Sequence, residues 1–293
     1  RGVCVSKSLA NITAAAIVAG VAGALALAPV AGISGMGIAR TNETMQSNLA
    51  DLTDGTTPGV TTITDSTGQP MAWLYNQRRY PVSNEQISQH MKDAIVAIED
   101  HRFYEHAGVD IQGTVRAMAT NVLAGGVEQG ASTINQQYVK NYLLFIDAKD
   151  EEEQAAAVEQ SIPRKLREMR MASDLDRNLS KDDILTRYLN LVPFGNRSFG
   201  VEAAARTYFG TSAAELTVPQ AAMLAGMVQS SEFLNPYTNP EGATNRRDTV
   251  LRAMAANGHL TAEQAEAHIA EPLGILDAPA TLPNGCIAAG DRG

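Results

Sequence analysis

The stretch Met91-Lys92-Asp93-Ala94-Ile95-Val96-Ala97-Ile98-Glu99-Asp100-His101-Arg102-Phe103-Tyr104-Glu105-His106-Ala107-Gly108-Val109-Asp110 decides how this chain folds. Met91, Ala94, Ile95 and Ile98 recur at three- and four-residue steps, which predicts an amphipathic helix with its apolar stripe on a core. Glu99 follows Ile95 by four residues, so the face that buries Ile95 also carries this carboxylate inward. A carboxylate against apolar surface has its charged form disfavoured and its pKa raised, which suits a general base near neutral pH. The same residues fit a charged helix terminus in which histidines and acids pair with one another. His101 and His106 are five apart and fall on different helix faces, and no H-E-x-x-H occurs, which disfavours a zinc pair.

Outward from this stretch the helical period persists. Ile184, Leu185, Tyr188 and Leu189 repeat it, as do Val201, Ala204, Ala205 and Tyr208, with Gly210 placed as a stop. Thr217-x-x-Gln220 and Thr261-x-x-Gln264 read as capping boxes. Asp147 to Glu153 is acidic and reads as a solvated mobile loop between two helical blocks. Upstream, Thr61–Asp65 and Met71–Tyr75 flank Ser66-Thr67-Gly68-Gln69-Pro70, the pattern of a small β-hairpin. After Leu273 the chain turns Pro/Gly-rich and loses its period. A mainly α body over residues 84–273 is the fold class expected.

The 293 residues allow one or two domains with a sizeable core. Lys and Arg number 23 against 32 Asp and Glu, a net charge of −9, so non-specific nucleic-acid binding is excluded as a role. Cys4 and Cys286 alone cannot build a disulfide framework or a zinc cluster. No charged residue lies between Lys7 and Arg40. Residues 9–39 are therefore expected to be a single transmembrane helix, about 30 residues where ~20 suffice. A cleaved signal peptide is the rival, but its apolar part would overrun the usual length. This leaves residues 1–8 as a cytoplasmic tail and 40–83 as an extracytoplasmic linker carrying the hairpin.

Three further segments have chemical potential. In Gln129-Gly130-Ala131-Ser132-Thr133-Ile134-Asn135-Gln136-Gln137-Tyr138-Val139-Lys140-Asn141, Thr133-x-x-Gln136 would cap a helix. Thr133, Gln136 or Gln137, Lys140 and Asn141 then share one face. Such a helix is either a well-capped surface helix or an anion site with a lysine along it. Pro163-Arg164-Lys165-Leu166-Arg167-Glu168-Met169-Arg170 opens a helix on which four basic residues surround Glu168. It fits a simple i,i+4 ion pair, or a cationic patch for a diphosphate with a carboxylate at its centre. Tyr188-Leu189-Asn190 through Gly200-Val201-Glu202-Ala203-Ala204-Ala205 to Tyr208-Phe209-Gly210 reads as packing.

Taken in order, these segments resemble the peptidoglycan glycosyltransferase domain of class A penicillin-binding proteins. The first resembles E-D-x-x-F-x-x-H-x-G-x-D at Glu99, Asp100, Phe103, His106, Gly108 and Asp110. The second resembles G-x-S-T-I-T-Q-Q-x-x-K-N, with Asn135 in place of Thr; the third resembles R-K-x-x-E, and the fourth Y-L-N with G-x-x-A-A-x-x-Y-F-G. A fifth segment is recognisable at Gln220 to Gly226 and Asn235-Pro236. There Ser231-Glu232 departs from the usual Pro-Ser. No S-x-x-K or K-T-G occurs, so β-lactam acylation is not expected of these residues. The tail at 274–293 resembles the start of the connection to a transpeptidase domain in actinobacterial members.

The resemblance implies a lysozyme-like α fold with a mobile second lobe. It also implies polymerisation of lipid II into β-1,4 glycan strands with undecaprenyl diphosphate as leaving group. Glu99 would be the base and Glu168 the second catalytic carboxylate, orienting cations or helping to hold Mg or Mn; no organic cofactor is implied. Lys140, Arg164 and Lys165 would stabilise the departing diphosphate. Asp100, Phe103, His106, Ser132, Thr133, Gln136, Gln137 and Asn141 would line the cleft and touch substrate. The partners implied are lipid II, the growing strand, the bilayer and other cell-wall synthesis proteins. The catalytic domain would lie on the outer side of the cell membrane. Val115, Met118, Val122 and Leu123 would meet the interface or a core face. The alternatives are a lysozyme-like lytic glycosidase and a catalytically weak cell-wall scaffold.

Overall fold

A computed structural model of the chain describes residues 52–53, 57–116 and 132–287. The expected membrane segment at 9–39, the tail before it, most of the tether after it, and Met118, Val122 and Leu123 lie outside the described residues. Among the described residues no helix is long and apolar enough to cross a membrane.

The hairpin forms where expected. Strands β1 (Thr61–Thr64) and β2 (Pro70–Leu74) pair antiparallel, with an irregularity between Ile63 and Thr64. Asp65 organises the turn by accepting the backbone N–H groups of Thr67 at 2.8 Å and Gln69 at 3.0 Å. The two-residue β3 (Arg78–Arg79) follows and pairs in parallel with β4 (Ser198–Phe199). Arg79 is fully buried and donates to the carbonyls of Asn190 and Pro58, at 2.9 and 3.1 Å, so it staples the strand to the helical body.

That body comprises α1 (Gln89–Glu99), α2 (Ile134–Tyr142), α3 (Glu151–Val158), α4 (Ile162–Asn178) and α5 (Lys181–Leu191). It continues with α6 (Val201–Phe209), α7 (Val218–Met227), α8 (Pro240–Ala256) and α9 (Ala262–Ile269). A further short helical run covers residues 111–116. The capping boxes at Thr133, Thr217 and Thr261 are all made. Met91, Ala94 and Ile95 of α1 have no exposed surface, and neither do Ile184, Leu185, Tyr188 and Leu189 of α5. Nearly every residue of α7 is buried, which marks it as the central helix. It packs between α1 and α8, while α2 packs against α4 and α5.

Two expectations need correcting. Only residues 148–150 of the Asp147–Glu153 stretch are non-helical: Leu143–Asp147 forms a π-helical turn and Glu151 opens α3. Asp150 caps α3 by accepting the Glu153 N–H at 2.9 Å. Three glutamates favour its first turn through the helix dipole, and Ala155, Ala156 and Ala157 extend it. Second, the Pro/Gly-rich tail does not stay irregular. Gly285–Cys286 forms β5, antiparallel to β2, and Asn284 holds the Tyr75 backbone on both sides, at 2.9 and 3.2 Å.

Candidate active site

The site starts with the way the end of α1 is joined to the start of α2. Asp100 terminates α1, and its Oδ2 accepts the Ile134 backbone N–H at 3.1 Å, one of the free donors of the α2 N-terminus. The same oxygen lies 2.8 Å from Nε2 of the buried His106. Thr133 caps α2 by accepting the Gln136 N–H at 3.2 Å and donates its hydroxyl to the Gly108 carbonyl at 2.7 Å. Gly108 has φ +83° and runs so close to α4 that a Cβ would fall 2.3 Å from the Ala172 carbonyl oxygen. These contacts aim the last residue of α1 at the middle of α2.

Glu99 is that residue. Its side chain retains 14% exposure, enough to meet a ligand. Gln137, one turn into α2, donates Nε2 to Glu99 Oε2 at 2.7 Å, and the hydroxyl of Tyr188 on α5 donates to Gln137 Oε1 at 2.8 Å. Arg246 on α8 approaches Glu99 Oε1 at 3.9 Å. Gly226 on α7 permits this approach, since a Cβ there would lie 2.9 Å from Arg246 Cγ. Burial raises the Glu99 pKa above the ordinary glutamate value, with Asp100 adding to the rise. Gln137, Arg246 and Lys140 pull against it. Burial in turn lowers the pKa of Arg246.

Lys140 links this carboxylate to a second one. Burial depresses its pKa, and Lys165 and Arg164 push the same way, whereas Glu168 and Glu99 act to raise it. Lys140 thus lies within electrostatic reach of both Glu99 and Glu168. Glu168 of α4 is buried, with Arg164 Nη1 on Oε2 at 2.6 Å and Lys165 Nζ on Oε1. Lys165 Nζ also donates to Ser132 Oγ at 2.7 Å. With both Glu168 oxygens facing cations, the residues here do not fit a divalent metal. Among the described residues no group of three His, Cys, Asp or Glu could hold one.

The structure therefore brings together Glu99, Gln137, Lys140, Ser132, Arg164, Lys165 and Glu168. Other residues expected as substrate contacts sit elsewhere in the packing. Phe103 is fully buried in the core, and Thr133 and Gln136 are buried and occupied in the α2 cap. Asp100 and His106 are buried against each other, and Asn141 is buried too. The α2 N-terminus is taken by Asp100 and Thr133, so it is not the anion site its sequence suggested. Tyr188 was read as packing, yet its hydroxyl reaches the site. Arg246 was not singled out at all. Tyr188 opens the Y-L-N motif, but nothing local ties either residue to Glu99, because both arrive through the crossing of distant helices.

The transglycosylase family model matches residues 67–255, a span that takes in all of these residues. Penicillin-binding protein 1A of Neisseria flavescens is 40% identical over 212 residues, covering 72% of this chain and 25% of that protein. Penicillin-binding protein 1F of Bacillus subtilis is 36% identical over 213 residues, covering 73% of this chain and 28% of that protein. Among solved structures, penicillin-binding protein 1A from Haemophilus influenzae aligns over 76% of this chain and 22% of its own, at 22% identity and a TM-score of 0.41. The chain thus spans about a quarter of the length of the curated relatives it matches. With a family match over most of the chain, the chain belongs to the transglycosylase family.

Proposed function

We propose that this chain is a peptidoglycan glycosyltransferase that polymerises lipid II into β-1,4 glycan strands, held at the outer face of the membrane by a span at residues 9–39. One arrangement supports the reading: Glu99, held by Gln137 on α2, and the Arg164–Lys165–Glu168 cluster, tied to Ser132 just before α2, both lie within electrostatic reach of Lys140. An acid poised to take a proton opposite a set of cations suits an alcohol attacking as a phosphorylated group departs.

In this mechanism Glu99 removes the proton of the incoming sugar 4-hydroxyl as its oxygen bonds to the anomeric carbon. The bond from that carbon to the diphosphate oxygen breaks on the opposite face, so the configuration inverts and the electron pair leaves with undecaprenyl diphosphate. Lys140, Arg164 and Lys165 receive the developing negative charge, an interaction worth several kcal/mol in a water-poor cleft. Glu168 keeps Arg164 and Lys165 in position. Such a diphosphate is already a good leaving group and needs cations more than a protonating acid. A lytic glycosidase would have no use for that cationic side, which favours the transferase over the cleaving alternative.

The test supplies lipid-linked disaccharide-pentapeptide to the protein in detergent or vesicles and follows polymer length. Wild type should form polymer, and Glu99→Gln should lose about 100-fold or more of the rate. Cleavage of finished glycan without polymer would establish the lytic alternative. A Glu99→Gln protein that polymerised normally would remove Glu99 from the chemistry.

A further inference from the structure

We propose that Tyr188 is a positioning residue for the base: its hydroxyl selects which end of the Gln137 side-chain amide is presented to Glu99. The proposal rests on the reading of Glu99 as the base.

The relay is short. Tyr188 has no exposed surface, and its hydroxyl donates to Gln137 Oε1 at 2.8 Å; Gln137 Nε2 then donates to Glu99 Oε2 at 2.7 Å. A side-chain amide has one donating and one accepting end, and its orientation follows from its partners. With NH2 towards Glu99, the amide stabilises the ionised carboxylate. Rotated by 180°, it offers an oxygen, which only a protonated Glu99 can meet. The two orientations therefore match the two protonation states of the base. Tyr188 decides between them, because in the rotated form its hydroxyl proton would be buried without an acceptor. Burial drives the Tyr188 pKa well above the tyrosine range, with Glu99 and Asp100 adding to the rise, so the hydroxyl keeps the proton it donates.

Among the described residues, three further charged groups bear on Glu99. Arg246 faces it from α8 and Lys140 from α2, both favouring the ionised form, and Asp100 adjoins it and opposes ionisation. Tyr188 acts without a charge of its own, through the amide.

The experiment labels glutamate with 13C and follows the Glu99 carboxyl signal against pH in wild type, Tyr188→Phe, Gln137→Leu and the double variant. The polymerisation rate is measured over the same pH range. Tyr188→Phe removes one oxygen atom and should move the Glu99 midpoint up by about one pH unit, the size expected for loss of one charge-assisted hydrogen bond. The acid limb of the rate should move with it. Gln137→Leu should raise the midpoint at least as far, and the double variant no further than Gln137→Leu alone. An unmoved midpoint in Tyr188→Phe, or additive shifts in the double variant, overturns the relay. A shifted midpoint in a protein that makes no polymer upholds the relay and refutes the proposed activity.

Discussion

Asp100 Oδ2 accepts the backbone N–H of Ile134 at 3.1 Å, so the residue that ends α1 also caps α2. This contact explains how an acid next to the base serves the site without reaching the cleft. Asp100→Ala removes the cap and leaves His106 without its carboxylate, at a cost of about 1–3 kcal/mol in stability. The expected signature is a lower Tm and a reduced kcat with KM for the lipid-linked substrate nearly unchanged. A selective rise in KM would instead make Asp100 a substrate contact, as its place in the family motif suggests.

If Glu99 is the base, as proposed, its burial sets catalysis against stability. A carboxyl whose folded pKa lies above its unfolded value binds protons more tightly in the folded state. The folded protein is therefore favoured at low pH, and that advantage is lost as pH rises from the unfolded pKa through the folded one. Above the folded pKa the penalty for ionising Glu99 is fully present. Glu99→Gln should abolish polymerisation yet raise Tm by about 2 °C or more at pH 8, with the gain shrinking towards pH 4. Wild-type activity should rise with pH along an acid limb placed above the ordinary glutamate range. Thermal melts at the two pH values and a pH–rate profile read both effects.

The approach of Arg246 to Glu99 depends on a missing side chain on a third helix. Gly226→Ala places a methyl 2.9 Å from Arg246 Cγ, and the arginine must shift for it to fit. Arg246 is one of the groups that lower the Glu99 pKa, so its displacement should move the acid limb upward, by about half a pH unit. Arg246→Ala should move the limb in the same direction. An unchanged limb in both variants would mean that Arg246 does not bear on the base.

Much of this architecture is legible locally. The apolar stripe of Met91, Ala94 and Ile95, the stop at Gly210 and the capping boxes at Thr133, Thr217 and Thr261 all depend on neighbours within a few residues. The inward turn of Glu99 follows from its spacing to Ile95 alone. What escaped is of two kinds. The acidic run at Asp147–Glu153 looked like a loop by charge, but a helix N-terminus welcomes acids, and Asp150 with three alanines settles the balance. Tyr188 and Arg246 lie in helices that look like packing, and only tertiary crossings bring them to Glu99. Conversely, Phe103, Thr133 and Gln136 belong to motif segments but are buried, because a motif records the residues a site needs without separating those that touch substrate from those that hold the frame.

Glu168 offers the sharpest distinction between a metal ligand and a clamp. Its two oxygens are engaged by Arg164 and Lys165, with the lysine about a third exposed and the arginine less so. Replacing it with Gln leaves both cations without their buried partner. After allowance for solvent screening at the two partners, the loss should be about 1–2 kcal/mol. Freed of the clamp, Arg164 and Lys165 would meet the diphosphate in many poses, so kcat should fall and Lys165→Ala in that background should cost little more. A chelator titration separates the alternatives. If Glu168 acts by holding cations, wild type with metal removed should keep activity well above that of Glu168→Gln, and added Mg or Mn should not restore the variant. Equal losses from chelation and from Glu168→Gln would show instead that the carboxylate works through a divalent ion.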